Sequence, residues 1–148
     1  MIMERKILFR AKSTDSGEWV EGSFIHAFQE EKRSAICGMY KDVYFIAEIS
    51  GKMHTVDPET VCQYTGLADR NCRKIFEGDI CRDGDNIVRI LWNDKHQWGV
   101  EISKTDNVLS KGLIFPLWQY DNCKENGYRT LEAIGNIFDN PELLKTDG

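Results

Sequence analysis

The sequence predicts an all-β protein. Three observations carry that prediction: short apolar runs alternating at period two, turn clusters of Gly, Asp, Asn and Ser between them, and almost no helical periodicity. Strands so short and so closely spaced suit a sandwich or small barrels.

Taken in order, Ile7, Phe9 and Ala11 fall on one face of a first strand, with Lys6, Leu8, Arg10 and Lys12 on the other. Ser13 to Gly17 is a turn cluster, and Trp19 to Phe28 returns as a second strand with Gly22 read as a bulge. Gln29 to Ser34 is a polar connection. Ala35–Tyr40 and Val43–Ile49 are β-branched and aromatic enough for two strands joined near Lys41-Asp42. Ser50-Gly51 turns the chain, Lys52 to Val56 pairs back, and Asp57-Pro58 stops that run because Pro has no donor for a ladder.

From Val61 to Arg82 the turn chemistry is densest. Val61–Tyr64 reads as a short strand, Thr65-Gly66 as a reversal, and Asp69-Arg70-Asn71 as a tight polar turn. Lys74–Phe76 begins a run that Glu77-Gly78-Asp79 stops, since Gly permits positive φ and Asp bonds its own backbone nearby. Gly66 and Gly78 are therefore expected in conformations unfavourable to other residues, with Asp79 shaping the second turn.

Beyond it, Asp83-Gly84-Asp85-Asn86 is a hairpin turn. Val88, Ile90 and Trp92 then share one face, and Trp98, Val100 and Ile102 share the corresponding face of the next strand, so both indoles are expected in a core. Lys104–Gly112 is a polar loop, Leu113–Tyr120 a strand with Pro116 at an edge or bulge, Asn122–Gly127 a loop, and Tyr128–Phe138 the last strand. Asn140 caps a short helix with Pro141 at its first position.

The segments Gln63-Tyr64-Thr65-Gly66-Leu67 and Ile75-Phe76-Glu77-Gly78-Asp79-Ile80, with the Asp69 turn between them, resemble the signature of the YopX family of bacteriophage and prophage proteins. Lys6 to Ala11 resembles that family's opening strand, and Ile134 to Phe138 with Asn140 to Leu144 its close. The resemblance implies an all-β architecture and a phage or prophage setting, and no particular reaction. One position departs: the family's Asp-X-Asn turn continues with Gly, and here Cys72 stands there. Asn71 tolerates left-handed backbone better than Cys, so the turn is expected to shift by one residue. The Glu-Gly-Asp-Ile segment followed by a meander also resembles the start of an SH3-like barrel, placed at about residues 75–139.

That gives a domain plan of an amino-terminal β lobe at 1–60, a connecting turn segment at 61–74, and the barrel with its carboxy-terminal helical turn at 75–148. A chain of 148 residues with 41% hydrophobic and 11% aromatic residues accommodates it. The net charge of −5 disfavours a large phosphate-binding face. It divides as −2 over residues 1–60, +1 over 61–82 and −4 over 83–148, so only the central stretch is basic. Five cysteines, at 37, 62, 72, 81 and 123, and no secretory leader before the first strand lead us to expect a reducing cytoplasm. No apolar run reaches the roughly 20 residues that span a bilayer.

Cys62, Cys72, Cys81, His54 and His96 are the candidate metal ligands, but they lack the paired two-to-four-residue spacing of structural zinc sites, and no metal or cofactor is expected. His26 and His54 sit in strands as structural histidines and His96 in a hairpin loop. No Gly-X-Ser-X-Gly elbow or glycine-rich phosphate loop occurs. The candidate binding surface is Tyr64 with Arg70, Arg73 and Lys74, an aromatic beside three cations. We therefore expect a non-enzymatic phage or prophage module that contacts protein or itself. A nucleic-acid-binding accessory protein using its small barrel is the alternative, and a small hydrolase a third.

Overall fold

A computed structural model describes residues 6–30, 40–95, 97–122 and 128–145. The chain is mostly β and divides into two compact units, Met1–Gln63 and Tyr64–Gly148.

In the first unit β1 (Phe9–Lys12), β2 (Trp19–Glu30), β3 (Tyr40–Ala47), β4 (Met53–Thr55) and the start of β5 (Cys62–Ala68) form an antiparallel sheet in the order β4-β3-β2-β1-β5. Ala11, Ile46 and Val56 are its buried centre, flanked by Phe9, Val20, Phe24, Tyr44 and Val61. Ile7 does not join Ala11; it precedes β1 and is 64% exposed. Gly22 is the point where β2 changes partner, from β1 (Phe9 opposite Gly22) to β3 (Ser23 opposite Ala47), with no bulge in either ladder. A Cβ at Gly22 would stand 2.1 Å from the Ala47 carbonyl oxygen, so the two backbones approach as only glycine allows. Lys41 and Asp42 are not a joint between strands. Both lie within β3, because their neighbours pair continuously with β2. The rest of the Ala35–Tyr40 run, and Cys37 with it, lies outside the described residues. Asp57 accepts the Glu59 N–H at 3.0 Å and starts a single 3₁₀ turn, Pro58–Thr60.

In the second unit β6 (Lys74–Phe76) pairs with β5. The main sheet uses β7 (Asp79–Asp83), β8 (Asn86–Asn93), β9 (Gln97–Lys104) and β10 (Ile114–Pro116). A two-stranded ribbon follows, β11 (Asp121–Asn122) with β12 (Tyr128–Arg129), and β13 (Glu132–Asn136) then returns beside β7. The order is β10-β9-β8-β7-β13. Asp83 pairs with Asn86 across the expected hairpin turn. Ile75, Cys81, Val88, Ile90, Val100, Ile102, Leu117 and Leu131 are the buried core.

Among the described residues no sheet closes: β10 and β13 are the two ends of an open five-stranded sheet. Leu113–Tyr120 is not one strand. It breaks after Pro116 into a 3₁₀ turn, Leu117–Tyr120, which swings Leu117 into the core. Tyr128–Phe138 likewise divides into β12 and β13, with an irregular register between Ala133 and Gly135. The carboxy-terminal helix reduces to a 3₁₀ turn, Pro141–Leu144. Asn140 makes no side-chain cap there, because its Oδ1 accepts the Asn136 N–H at 3.3 Å.

Candidate functional site

The basic turn is built on one buried carboxylate. Asp69 is fully buried, and its Oδ1 accepts the N–H groups of Asn71 and Arg73, both at 2.9 Å. Its Oδ2 accepts the Ala133 N–H of β13 at 2.9 Å. The Arg70 N–H donates to the Leu131 carbonyl at 2.8 Å, and the Asp69 N–H donates to the Arg73 carbonyl at 2.8 Å. A buried carboxylate needs such donors, and here they fasten the turn to a core strand. Arg70, Asn71, Cys72, Arg73 and Lys74 are all exposed on this rigid support.

The turn does not shift by one residue. Cys72 itself takes the left-handed backbone, with φ 63°, because its N–H donates to the Asp69 carbonyl at 3.0 Å and Asp69 fixes the residues on either side. Nor does the chain reverse at Thr65-Gly66. β5 runs through both as a bulge, in which Thr65 Oγ1 donates to the Ile75 carbonyl at 2.7 Å and accepts the Leu67 N–H at 3.2 Å. Gly66 has φ 87° and Gly78 φ 84°.

Tyr64 is half-buried, its ring 5.6 Å from that of Phe76. It pairs with Phe76 across the β5–β6 ladder, whereas the cations follow at the far end of that ladder, where Ala68 pairs with Lys74. Asp79 is buried and accepts the Phe76 N–H at 2.9 Å, closing the Glu77-Gly78 turn, and the Gly78 N–H donates to the Ile90 carbonyl at 2.9 Å. Burial raises the Glu77 carboxyl above its usual range.

The two indoles part company. Trp98 packs against the core, but Trp92 is 51% exposed and meets it edge-on at a centroid distance of 5.0 Å. Both face the side of Ile90 and Val100, as alternation requires. Trp92 nevertheless stands next to the hairpin turn, past the last buried residue of β8, Ile90. Phe115 lies opposite Val100 on the same face and is partly exposed. Sequence reasoning missed this rim; the adjacent polar turn at Asp94-Lys95 was the available signal.

The other candidates scatter. Cys62 is buried with its thiol 3.2 Å from the Thr60 carbonyl, and Cys72 is exposed. Cys81 is buried, and its thiol is held well above its usual range by burial first and by the Asp79 and Asp69 carboxylates next. His54 Nε2 is 3.4 Å from Glu48 Oε1 at the β3–β4 turn. His96 lies outside the described residues, as do Cys123 and most of the Asn122–Gly127 loop. Among the described residues no three His, Cys, Asp or Glu side chains converge on a metal position. An apolar seam lined by Leu67, Ala68, Ile75, Leu117, Tyr120 and Leu131 is too narrow for a ligand.

Fold and surfaces together define a two-unit, all-β protein that displays aromatic and basic side chains on rigid supports. The chain belongs to the YopX family: the family model described as YopX protein matches residues 8–145. It is also similar to a solved structure, the crystal structure of protein EF1440 from Enterococcus faecalis. The two are 26% identical with a TM-score of 0.50, over 95% of this chain and 99% of that one. No curated protein matches. No helix among the described residues is long and apolar enough to cross a membrane.

Proposed function

We propose that this chain is a phage- or prophage-borne protein-interaction module of the bacterial cytoplasm with no catalytic role. Trp92 carries the reading. A half-exposed indole, braced edge-on by Trp98 and sharing its sheet face with Phe115, is the kind of rigid aromatic anchor that dominates protein–protein contacts. Family membership supports the phage setting through the resemblance described above. The strand order, a four-strand meander with the last strand returning beside the first, supports an SH3-like reading of the second unit.

Nucleic acid is the second reading, favoured by Arg70, Arg73 and Lys74 on their rigid turn. A single-strand site needs an aromatic face beside its cations. Tyr64 instead packs on Phe76, which favours protein. Affinity capture of the tagged chain from induced cells, with and without nuclease, tests the choice. A stoichiometric protein retained after nuclease supports the module; recovery that vanishes with nuclease contradicts it.

A further inference from the structure

The distal half of the β2–β3 hairpin carries a surface that the preceding sites do not use. Register places Phe28 opposite Asp42 and Glu30 opposite Tyr40, and alternation puts all four on one face. Aromatic and carboxylate therefore occupy the block as a checkerboard, each ring flanked by an acid both across and along the ladder. Phe28 is 71% and Tyr40 63% exposed. Towards the base of the hairpin this face continues as a row of rings. His26 stacks on Tyr44 at 4.6 Å and 12°, and Tyr44 on Phe24 at 6.2 Å and 9°. Those ring faces are occupied by one another. Phe28 ends the row, tilted by 46° from His26 at 5.5 Å. Asp42 is steadied by His26, whose Nε2 lies 3.0 Å from Asp42 Oδ1.

Two carboxylates beside two exposed rings repel a phosphate backbone and favour guanidinium groups, which bond a carboxylate through a planar fork and lie against an aromatic face. The one net-basic stretch of the chain, residues 61–82, presents Arg70 and Arg73 on the turn that Asp69 holds rigid. The backbone of that turn is already held, so no segment has to be ordered on binding.

Resting on the protein-interaction reading, we propose that the Phe28–Glu30–Tyr40–Asp42 face of one copy receives the Arg70–Arg73 turn of a second copy. The contact is head-to-tail, so it builds rings or open chains rather than a two-fold dimer. Being charge-led, it weakens as salt rises.

The test is the solution mass of the full chain against concentration at low and high salt, for the wild type and two charge-swapped variants. One variant is Glu30→Lys with Asp42→Lys, the other Arg70→Glu with Arg73→Glu. The wild type is expected to gain mass with concentration, and each variant alone to associate at least about tenfold more weakly, since like charges then face each other. An equimolar mixture of the two variants should associate again, because a basic face then meets an acidic turn. Single swaps, Glu30→Lys and Arg73→Glu, serve if a double variant melts early. A wild type that stays at single-chain mass overturns the proposal, as do variants that associate normally or a mixture that does not recover. Loss of single-stranded oligonucleotide binding in the arginine variant, with its mass behaviour unchanged, would also overturn it and favour the nucleic-acid reading. Nuclease-resistant capture of another protein by a single-chain wild type leaves the interaction reading standing and removes only this contact.

Discussion

Asp69 and Ala133 lie 64 positions apart in sequence, yet the Asp69 Oδ2 accepts the Ala133 N–H at 2.9 Å. This bond and the neighbouring one from Arg70 to Leu131 join the basic turn to the start of β13. Asp69→Ala strips three backbone donors of their acceptor and should destabilise by about 2–4 kcal/mol in urea unfolding. Asp69→Asn retains one acceptor oxygen and should cost less. Equal stability of the alanine variant and the wild type would show that the turn does not depend on this carboxylate.

Cys72 holds left-handed backbone at φ 63° without being glycine. Cys72→Gly removes the strain of roughly 1–2 kcal/mol but adds unfolded-chain entropy, so a net gain of up to about 1 kcal/mol is expected. Cys72→Val should lower the melting temperature, since a β-branched residue fits this conformation worst. The reverse order of the two variants would contradict the strain argument.

Glu77 tests the second turn through pH. Burial raises its folded pKa, so the folded state keeps a proton that the unfolded state has already lost. The stability contributed by that proton is complete below the usual carboxylate range and lost as pH rises through the raised folded value. Glu77→Gln cannot ionise. It should match the wild type in acid and melt above it near neutral pH, with the gap opening across that window. A gap that is constant with pH would sink the assignment.

The Gly22 backbone leaves no room for a side chain, with the Ala47 oxygen 2.1 Å from where a Cβ would stand. Gly22→Ala forces β2 and β3 apart at the point where β2 changes partner. A loss of about 2 kcal/mol or more is expected, at the severe end for a single methyl. An unchanged unfolding midpoint would mean that the two strands yield freely.

Much of this was legible in the sequence, for a physical reason. Alternation at period two reports faces directly, so Val88, Ile90, Val100 and Ile102 were placed correctly in the core. It does not report how far along a strand the covering layer reaches, and Trp92 lies beyond that layer. Turn chemistry showed the Asp83–Asn86 hairpin but misread Gly66, because positive φ serves a bulge as well as a reversal. The Asp69 turn was visible as a turn. Its tether to Ala133 depends on a partner far along the chain that no local pattern announces. The Phe28–Asp42 checkerboard was hidden for the same reason: it exists only once the β2–β3 register is known.

Trp92 is the anchor of the proposed interaction, and a paired measurement on Trp92→Ala tests that role. Thermal unfolding and nuclease-treated affinity capture are run on this variant beside the wild type. A half-exposed indole that keeps an edge-on contact should cost only about 0.5–1.5 kcal/mol of stability when truncated, while the captured protein is lost. A variant that melts near the wild type and still retains the partner, or a wild type that retains no protein after nuclease, would contradict the account.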